Sequence, residues 1–177
     1  MKYKTTLINV RGDNYYAHRV AKSSFPEGRF AFIRNNDTLI VYSEKAPLDP
    51  FTQEVSIFET TEYDINSLVT IPVRLFNMKI NPTCSTKNGR RAYPKDRVEK
   101  WVSDHFAKIG CALLTLTVTK ESTDYFCKLK DPNEIVYHYY EVMGALKIDN
   151  PELFKEKFFD QMGQGKAFGY GLINLLN

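Results

Sequence analysis

The stretch Asn150–Leu175, NPELFKEKFFDQMGQGKAFGYGLINL, decides how the rest of the chain is read. Asn150-Pro151-Glu152 is a helix start, because asparagine caps free N–H groups and proline fits the first turn, where no N–H is needed. Leu153, Phe154 and Phe158 follow as one apolar face. The helix runs into Gly163-Gln164-Gly165, and Ala167–Leu175 returns as a final strand. The order is helix, glycines, strand. Nucleotide-binding motifs run strand, glycines, helix, so a P-loop and a dinucleotide fingerprint are both excluded. Glycines here let the backbone approach another backbone or a phosphate. A tight turn packed on the core is the other reading, and the bare pattern leaves both open.

Outward from this stretch, Thr70–Ile80 alternates as a strand, and Asn81-Pro82 ends it. A loop containing Asn88-Gly89-Arg90-Arg91 leads to Pro94. Val98, Trp101, Val102, His105, Phe106 and Ile109 then recur at helical spacing, with Gly110 as the stop. Ala112–Thr119 is a strand, followed by a hairpin of Tyr125–Lys128 against Ile135–Val142. From Thr70 the order is therefore strand, helix, strand, strand, helix, strand with a hairpin inserted, which is ferredoxin-like. In the first half, Met1–Val10 is a strand with Tyr3, Thr5 and Leu7 on alternate positions. Asp13 or Asn14 caps a short helix over Tyr15–Lys22, and Phe30–Ile33 and Leu39–Tyr42 flank the turn Asn35-Asn36-Asp37. Ala46–Asn66, with two prolines and many acids, reads as a loop-rich connection with one short strand at Val55–Phe58. The expected class is α+β: tandem ferredoxin-like (RNA-recognition-motif-like) domains over 1–66 and 67–177, the first one abbreviated.

The 177 residues are 43% hydrophobic, 25% charged and 14% aromatic, the profile of a folded chain rather than a disordered one. The formal net charge of +3 is too small to imply a nucleic-acid partner. No apolar run approaches the ~20 residues of a membrane span, and the amino terminus is strand-like rather than signal-like. Cys84, Cys111 and Cys127 are odd in number and widely spaced, matching neither a disulfide framework nor a zinc site. Composition thus points to a cytoplasmic globular protein, and no motif calls for a cofactor. Charge distribution says more. Arg74, Lys79, Lys87, Arg90, Arg91, Lys95, Arg97 and Lys100 face only Asp96 and Glu99 within Arg74–Lys100, a net +6. Glu44–Asn66 carries −5. A basic block beside an acidic one suits a polyanion-binding face, although charge runs also serve simply to keep surfaces solvated.

Of the three histidines, His105 lies on the apolar side of the long helix and His138 in a strand of tyrosines, both structural settings. His18 lies in a polar helix beside Tyr15 and Tyr16, where a histidine is ordinarily only solvated. Tyr15 and His18 are three apart and share a helix face, with Lys22 one turn on. No carboxylate-and-histidine cluster suggests a metal site.

Three blocks together resemble the CasE family, the CRISPR-RNA endoribonucleases of type I-E (Cascade) systems. Gly144-Ala145-Leu146 leads through a helix to Gly163, Lys166, Gly169 and Gly171. Asn81-Pro82-Thr83 follows a strand and precedes a basic loop and a helix containing Trp101. Tyr15 and His18 lie in the first short helix. The family's loop usually opens with a glycine where this chain has Gln161. The resemblance implies two ferredoxin-like domains, RNA on a basic face, and catalysis by Tyr15 and His18. It also implies cleavage of a CRISPR repeat hairpin at its 3′ base, with Cascade subunits as further partners.

Those groups suit metal-free RNA cleavage, in which a ribose 2′-hydroxyl attacks the adjacent phosphorus. Histidine can move a proton, tyrosine can orient the reacting groups, and Lys22 is a candidate for offsetting oxyanion charge. Arg74, Lys79, Lys87, Arg90, Arg91, Lys95 and Arg97, with the glycine loop and Lys166, are the expected RNA-binding residues. The alternative is a non-cleaving RNA-binding protein of the same fold, encoded outside a CRISPR locus.

Overall fold

A computed structural model describes the backbone of residues 2–48, 54–87, 89–128 and 131–176, and all of their side chains except 85–86, 89–90, 126–128 and 131–135. The amino-terminal strands β1 (Lys2–Ile8), β2 (Phe30–Asn35), β3 (Thr38–Ser43) and β4 (Ser56–Tyr63) form one antiparallel sheet, in the order β2-β3-β1-β4. A second antiparallel sheet contains β5 (Val73–Ile80), β8 (Cys111–Lys128), β9 (Asp131–Ile148) and β10 (Asn174–Leu176), in the order β10-β5-β9-β8. In both, the first strand lies between the third and the fourth. This is the ferredoxin-like order, so the expected tandem fold is the observed one. Along the chain the short helix α2 (Ile65–Thr70) joins β4 to β5, and the two-stranded hairpin of β6 (Thr83–Thr86) and β7 (Gly89–Ala92) follows β5.

Helix α1 (Asn14–Ser24) covers one face of the amino-terminal sheet, where Ala17, Val20, Ala21 and Phe25 pack with Leu7, Phe32, Leu39 and Val41. The alternate positions Ala31, Ile33 and Tyr42 point the other way and join the larger core. There Phe76 and Met78 of β5 meet Trp101, Val102 and Phe106 of α3 (Val98–Lys108), and Phe154 of α4 (Pro151–Lys157). The helix stops behave as their sequences direct. Asn150 caps α4 by accepting from Leu153 N at 3.1 Å, and Gly110 ends α3 at φ +77°.

Several elements differ from the sequence expectation. The acidic connection contains an eight-residue strand, β4, instead of a short one, because it pairs with β1 along most of its length. β5 begins at Val73, since Ile65–Thr70 is taken by α2, whose cap Asp64 accepts from Asn66 N at 3.0 Å. The loop before Pro94 is the β6–β7 hairpin; its Asn88 lies outside the described residues. Ala112–Thr119 and the following hairpin merge into two continuous 18-residue strands. Lys120–Asp124 reads as a break, yet register shifts near Leu113 and Val118 carry β8 through it, and Lys120 pairs with Glu141 at 3.5 Å. The final strand shrinks to Asn174–Leu176. Gly169 and Gly171, at φ +84° and +85°, cannot sit in a strand.

Candidate active site and nucleic-acid interface

Helix α1 starts where Asp13 accepts a hydrogen bond from Tyr16 N at 2.8 Å, a capping carboxylate at the positive end of the helix. Its buried side is Ala17, Val20, Ala21 and Ser24. Tyr15 and His18 lie half-buried on its flank, and Lys22 is exposed one turn beyond His18. The imidazole meets the ring of Phe168 edge-on at 6.3 Å, and its buried Nδ1 has no hydrogen-bond partner. Burial first, and the Lys22 charge second, hold the His18 pKa below the ordinary histidine value. An imidazole kept neutral in this way can accept a proton at whichever ring nitrogen the substrate reaches.

Phe168 belongs to a short 3-10 turn, Lys166–Phe168, inside the glycine-rich loop. The loop glycines all turn their Cα toward protein. A Cβ on Gly163 would come within 2.9 Å of the Trp101 ring, one on Gly165 within 2.7 Å of Tyr170, and one on Gly169 within 2.8 Å of Phe32. On Gly171 it would collide with the Met162 carbonyl. These positions are glycine because the loop turns through positive φ and packs against aromatic rings at Gly163, Gly165 and Gly169 and against the Met162 backbone at Gly171, which accords with the tight-turn alternative of the sequence reading. The loop opens at Gln161, which takes φ +49° itself and donates from Nε2 to Tyr170 O at 3.2 Å. Lys166 is exposed, with Nζ donating to Asp160 O.

The loop and α1 converge on Asp124, a residue the sequence reading passed over. Its Oδ2 accepts from Asn14 Nδ2 at 2.9 Å, from Lys79 Nζ at 2.9 Å and from the Tyr170 hydroxyl. Burial pushes this carboxyl up, but the bonds from Tyr170, Lys79 and Asn14 together outweigh it and leave its pKa low. Asn14 Oδ1 accepts from Arg34 Nη1 at 3.3 Å. A polar cleft of about 620 Å³ opens here, lined by Arg34, Lys79, Lys120, Asp37, Asp124 and Glu141 among others. Its three cations and three carboxylates balance, so it offers a polyanion nothing in net charge. Opposite Asp124, in register across the strands, runs Tyr137-His138-Tyr139-Tyr140, whose Tyr139 ring lies 3.8 Å from Lys79 Nζ.

The basic block divides in two. Lys79 is 11% exposed and tied to Asp124. Arg74 donates from Nε to Leu68 O at 3.2 Å and from Nη2 to Ser67 O at 3.0 Å, at the end of α2. Both face inward tasks. Lys87, Arg91, Lys95 and Arg97 are exposed on the β6–β7 hairpin and on the 3-10 turn Lys95–Arg97 leading into α3. Lys95 makes only a 3.8 Å pair with Glu121. The Arg90 side chain lies outside the described residues. Beneath Arg91 a groove of about 250 Å³ runs past Tyr137, His138 and Gln164 toward the glycine loop.

The other histidines are occupied. His105 stacks on Trp101 with ring centroids 3.8 Å apart and places Nδ1 2.8 Å from Trp101 O. His138 lies 3.1 Å from Glu121 and 3.2 Å from Thr123. Among the described residues, no three His, Cys, Asp or Glu side chains gather to hold a metal ion, and no helix is long and apolar enough to cross a membrane.

Among curated proteins none matches the chain. Solved structures do. Cse3 of Thermus thermophilus, bound to an RNA representing a pre-cleavage complex, shares the fold at TM-score 0.81 and 15% identity, with 100% of each chain covered. Cas6e from Escherichia coli K-12 gives TM-score 0.76 at 17% identity, with 98% of each covered. A chain of a CRISPR RNA-guided surveillance complex gives 0.71 at 15% identity, with 99% of each covered. A family model described as "CRISPR associated protein" matches residues 5–176, nearly the whole chain. The protein therefore belongs to this CRISPR-associated family.

Proposed function

We propose that this protein is an endoribonuclease that binds a CRISPR repeat hairpin and cuts it at its 3′ base to release guide RNA. The observation that carries this reading is the half-buried His18, edge-on to Phe168 of the glycine-rich loop and one turn from the exposed Lys22. In the proposed reaction His18 takes the proton from a ribose 2′-hydroxyl, and the 2′-oxygen forms a bond to the adjacent phosphorus. The bond from phosphorus to the 5′-oxygen breaks, and that oxygen takes up a proton as it leaves. A 2′,3′-cyclic phosphate and a 5′-hydroxyl result, with no metal ion required. Tyr15 orients the reacting groups and Lys22 offsets charge on the phosphorane.

The exposed cations Lys87, Arg91, Lys95, Arg97 and Lys166, with the adjacent Arg90, hold the stem. Arginines fork onto phosphates, and an A-form duplex is read mainly through its backbone and shape. Cations at the start of α3 oppose its dipole, which makes an external anion the more favourable partner there. The RNA-bound and surveillance-complex structures of the same fold support repeat RNA and Cascade subunits as partners. In this reading residues 1–66 carry the chemistry and 67–177 most of the binding.

The test is incubation with end-labelled repeat RNA in EDTA. Cleavage with a 2′,3′-cyclic phosphate terminus is expected. A strict Mg²⁺ requirement or 3′-hydroxyl products would sink the mechanism, and binding without cleavage would leave a non-cleaving RNA-binding protein.

A further inference from the structure

The reaction proposed above needs α1 held at a fixed place relative to the RNA, yet α1 belongs to the amino-terminal sheet and the proposed stem-binding cations lie beyond residue 86. Asn14 of α1 crosses this divide and meets Lys79 and Tyr170 of the carboxy-terminal half at one atom, Oδ2 of Asp124. We propose that Asp124 is a positioning residue that clamps the catalytic helix α1 to the carboxy-terminal sheet and the glycine-rich loop, so that His18 meets the cut site set by the bound stem. This inference rests on the catalytic reading of His18.

The geometry carries it from both ends. Asn14 is the first residue of α1 and lies four before His18, one turn along the same helix side. Both ends of its amide are used: Nδ2 donates to Asp124, and Oδ1 accepts from Arg34. Arg34 is itself anchored, donating from Nη2 to Gly12 O at 2.7 Å and from Nε to Asn36 O at 2.7 Å. On the far side, Tyr170 is fully buried, and its hydroxyl reaches Asp124 from between Gly169 and Gly171. Gly171 N donates to Lys79 O at 2.7 Å, and Lys79 Nζ returns to Asp124. The same loop presents Phe168 to the His18 ring. Asp124 therefore fixes both the helix that bears His18 and the loop that packs against it. A carboxylate oxygen accepting three donors in a half-buried place has little freedom to drift, because each lost bond strands a polar group away from water.

The experiment compares single-turnover cleavage at saturating hairpin RNA with hairpin Kd, for wild type, Asn14→Ala, Asp124→Asn and the double variant. Asn14→Ala keeps a strong helix former at this position and removes the tether together with one Arg34 contact, leaving Arg34 its bonds to Gly12 O and Asn36 O. Cleavage should fall about 10-fold or more in each single variant, since displacements near 1 Å can cost up to ~10²-fold in rate. The Kd should stay within about twofold. The double variant should lose little beyond either single one, because both break the same link. Asp124→Asn leaves Lys79 and Tyr170 poorly partnered, so its melting temperature is measured alongside, and Asn14→Ala decides the matter if Asp124→Asn unfolds. Wild-type cleavage rates in Asn14→Ala at saturating RNA overturn the clamp while leaving the nuclease reading intact. Absence of His18-dependent cleavage in the wild type removes that reading, and the clamp with it.

Discussion

In the carboxy-terminal sheet two helices, α3 and α4, fall between the strands, as the ferredoxin-like order requires, whereas the amino-terminal sheet has α1 alone. The described residues between β3 and β4 contain no helix, and α2 comes only after β4. β4 shows what that omission does. Glu59, Thr60, Thr61 and Glu62 are exposed, and Phe58 is 69% exposed, with no second helix among the described residues to cover them. The acidic segment is thus the polar dress of an uncovered edge strand, a common way of keeping such an edge from pairing with other chains. The carboxy-terminal sheet instead buries Phe76, Phe106, Phe154 and Leu146 completely. The helix proposed to do chemistry sits on the thinner of the two cores and depends on the thicker one for its position.

The largest effect that sharpens this contrast is Phe106→Ala. Its ring is fully buried and meets Phe76 at 5.1 Å, so truncation should cost about 3–5 kcal/mol, read as a drop in ΔG by urea unfolding. A cost below about 1 kcal/mol would mean that the carboxy-terminal core is not the stabilising one.

His18→Ala probes the other region. Single-turnover cleavage should fall by about 10²-fold or more, which begins at the lower end of the usual range for losing a general acid or base, with hairpin affinity almost unchanged. Normal cleavage would return His18 to the status of a surface histidine and detach chemistry from the amino-terminal region.

Arg90→Ala with Arg91→Ala should separate binding from chemistry. Each lost phosphate contact should reduce the slope of log affinity against log salt by about 0.9 for duplex-like sites. The cleavage rate at saturating protein should recover most of its wild-type value. Unchanged affinity and slope would move the RNA site off the hairpin.

Burial lowers the His18 pKa, so the neutral form needed for proton abstraction dominates at pH 7. The rate should rise with pH through a midpoint below 6.5 and level off above it. A rising limb centred above 6.5 in a pH–rate profile would contradict the environment found for this ring. The smallest effect is reserved for β4. Phe58→Ala, on the uncovered strand, should change stability by no more than about 0.5 kcal/mol, and a larger loss by thermal melting would show that something covers this edge.

The sequence by itself determined the helix and strand order of both halves wherever local chemistry was strong. Asp13 and Asn150 cap the helices they were expected to cap, Gly110 stops α3, and Asn36 takes the left-handed turn between β2 and β3. Each of these depends on neighbours a few residues away. Tertiary structure alone decided the rest. β4 is a strand because β1 pairs with it, and Lys120–Asp124 stays extended because β9 lies alongside. Gly169 and Gly171 look like strand glycines until Phe32 and Met162 are found against them. Asp124 carried no local signal, since its partners Asn14, Lys79 and Tyr170 lie 110, 45 and 46 residues away in the chain. The bond to Asn14 is set by how α1 meets the second sheet, and those to Lys79 and Tyr170 by the folding of the carboxy-terminal half; both are properties of the packed chain and of no window of sequence.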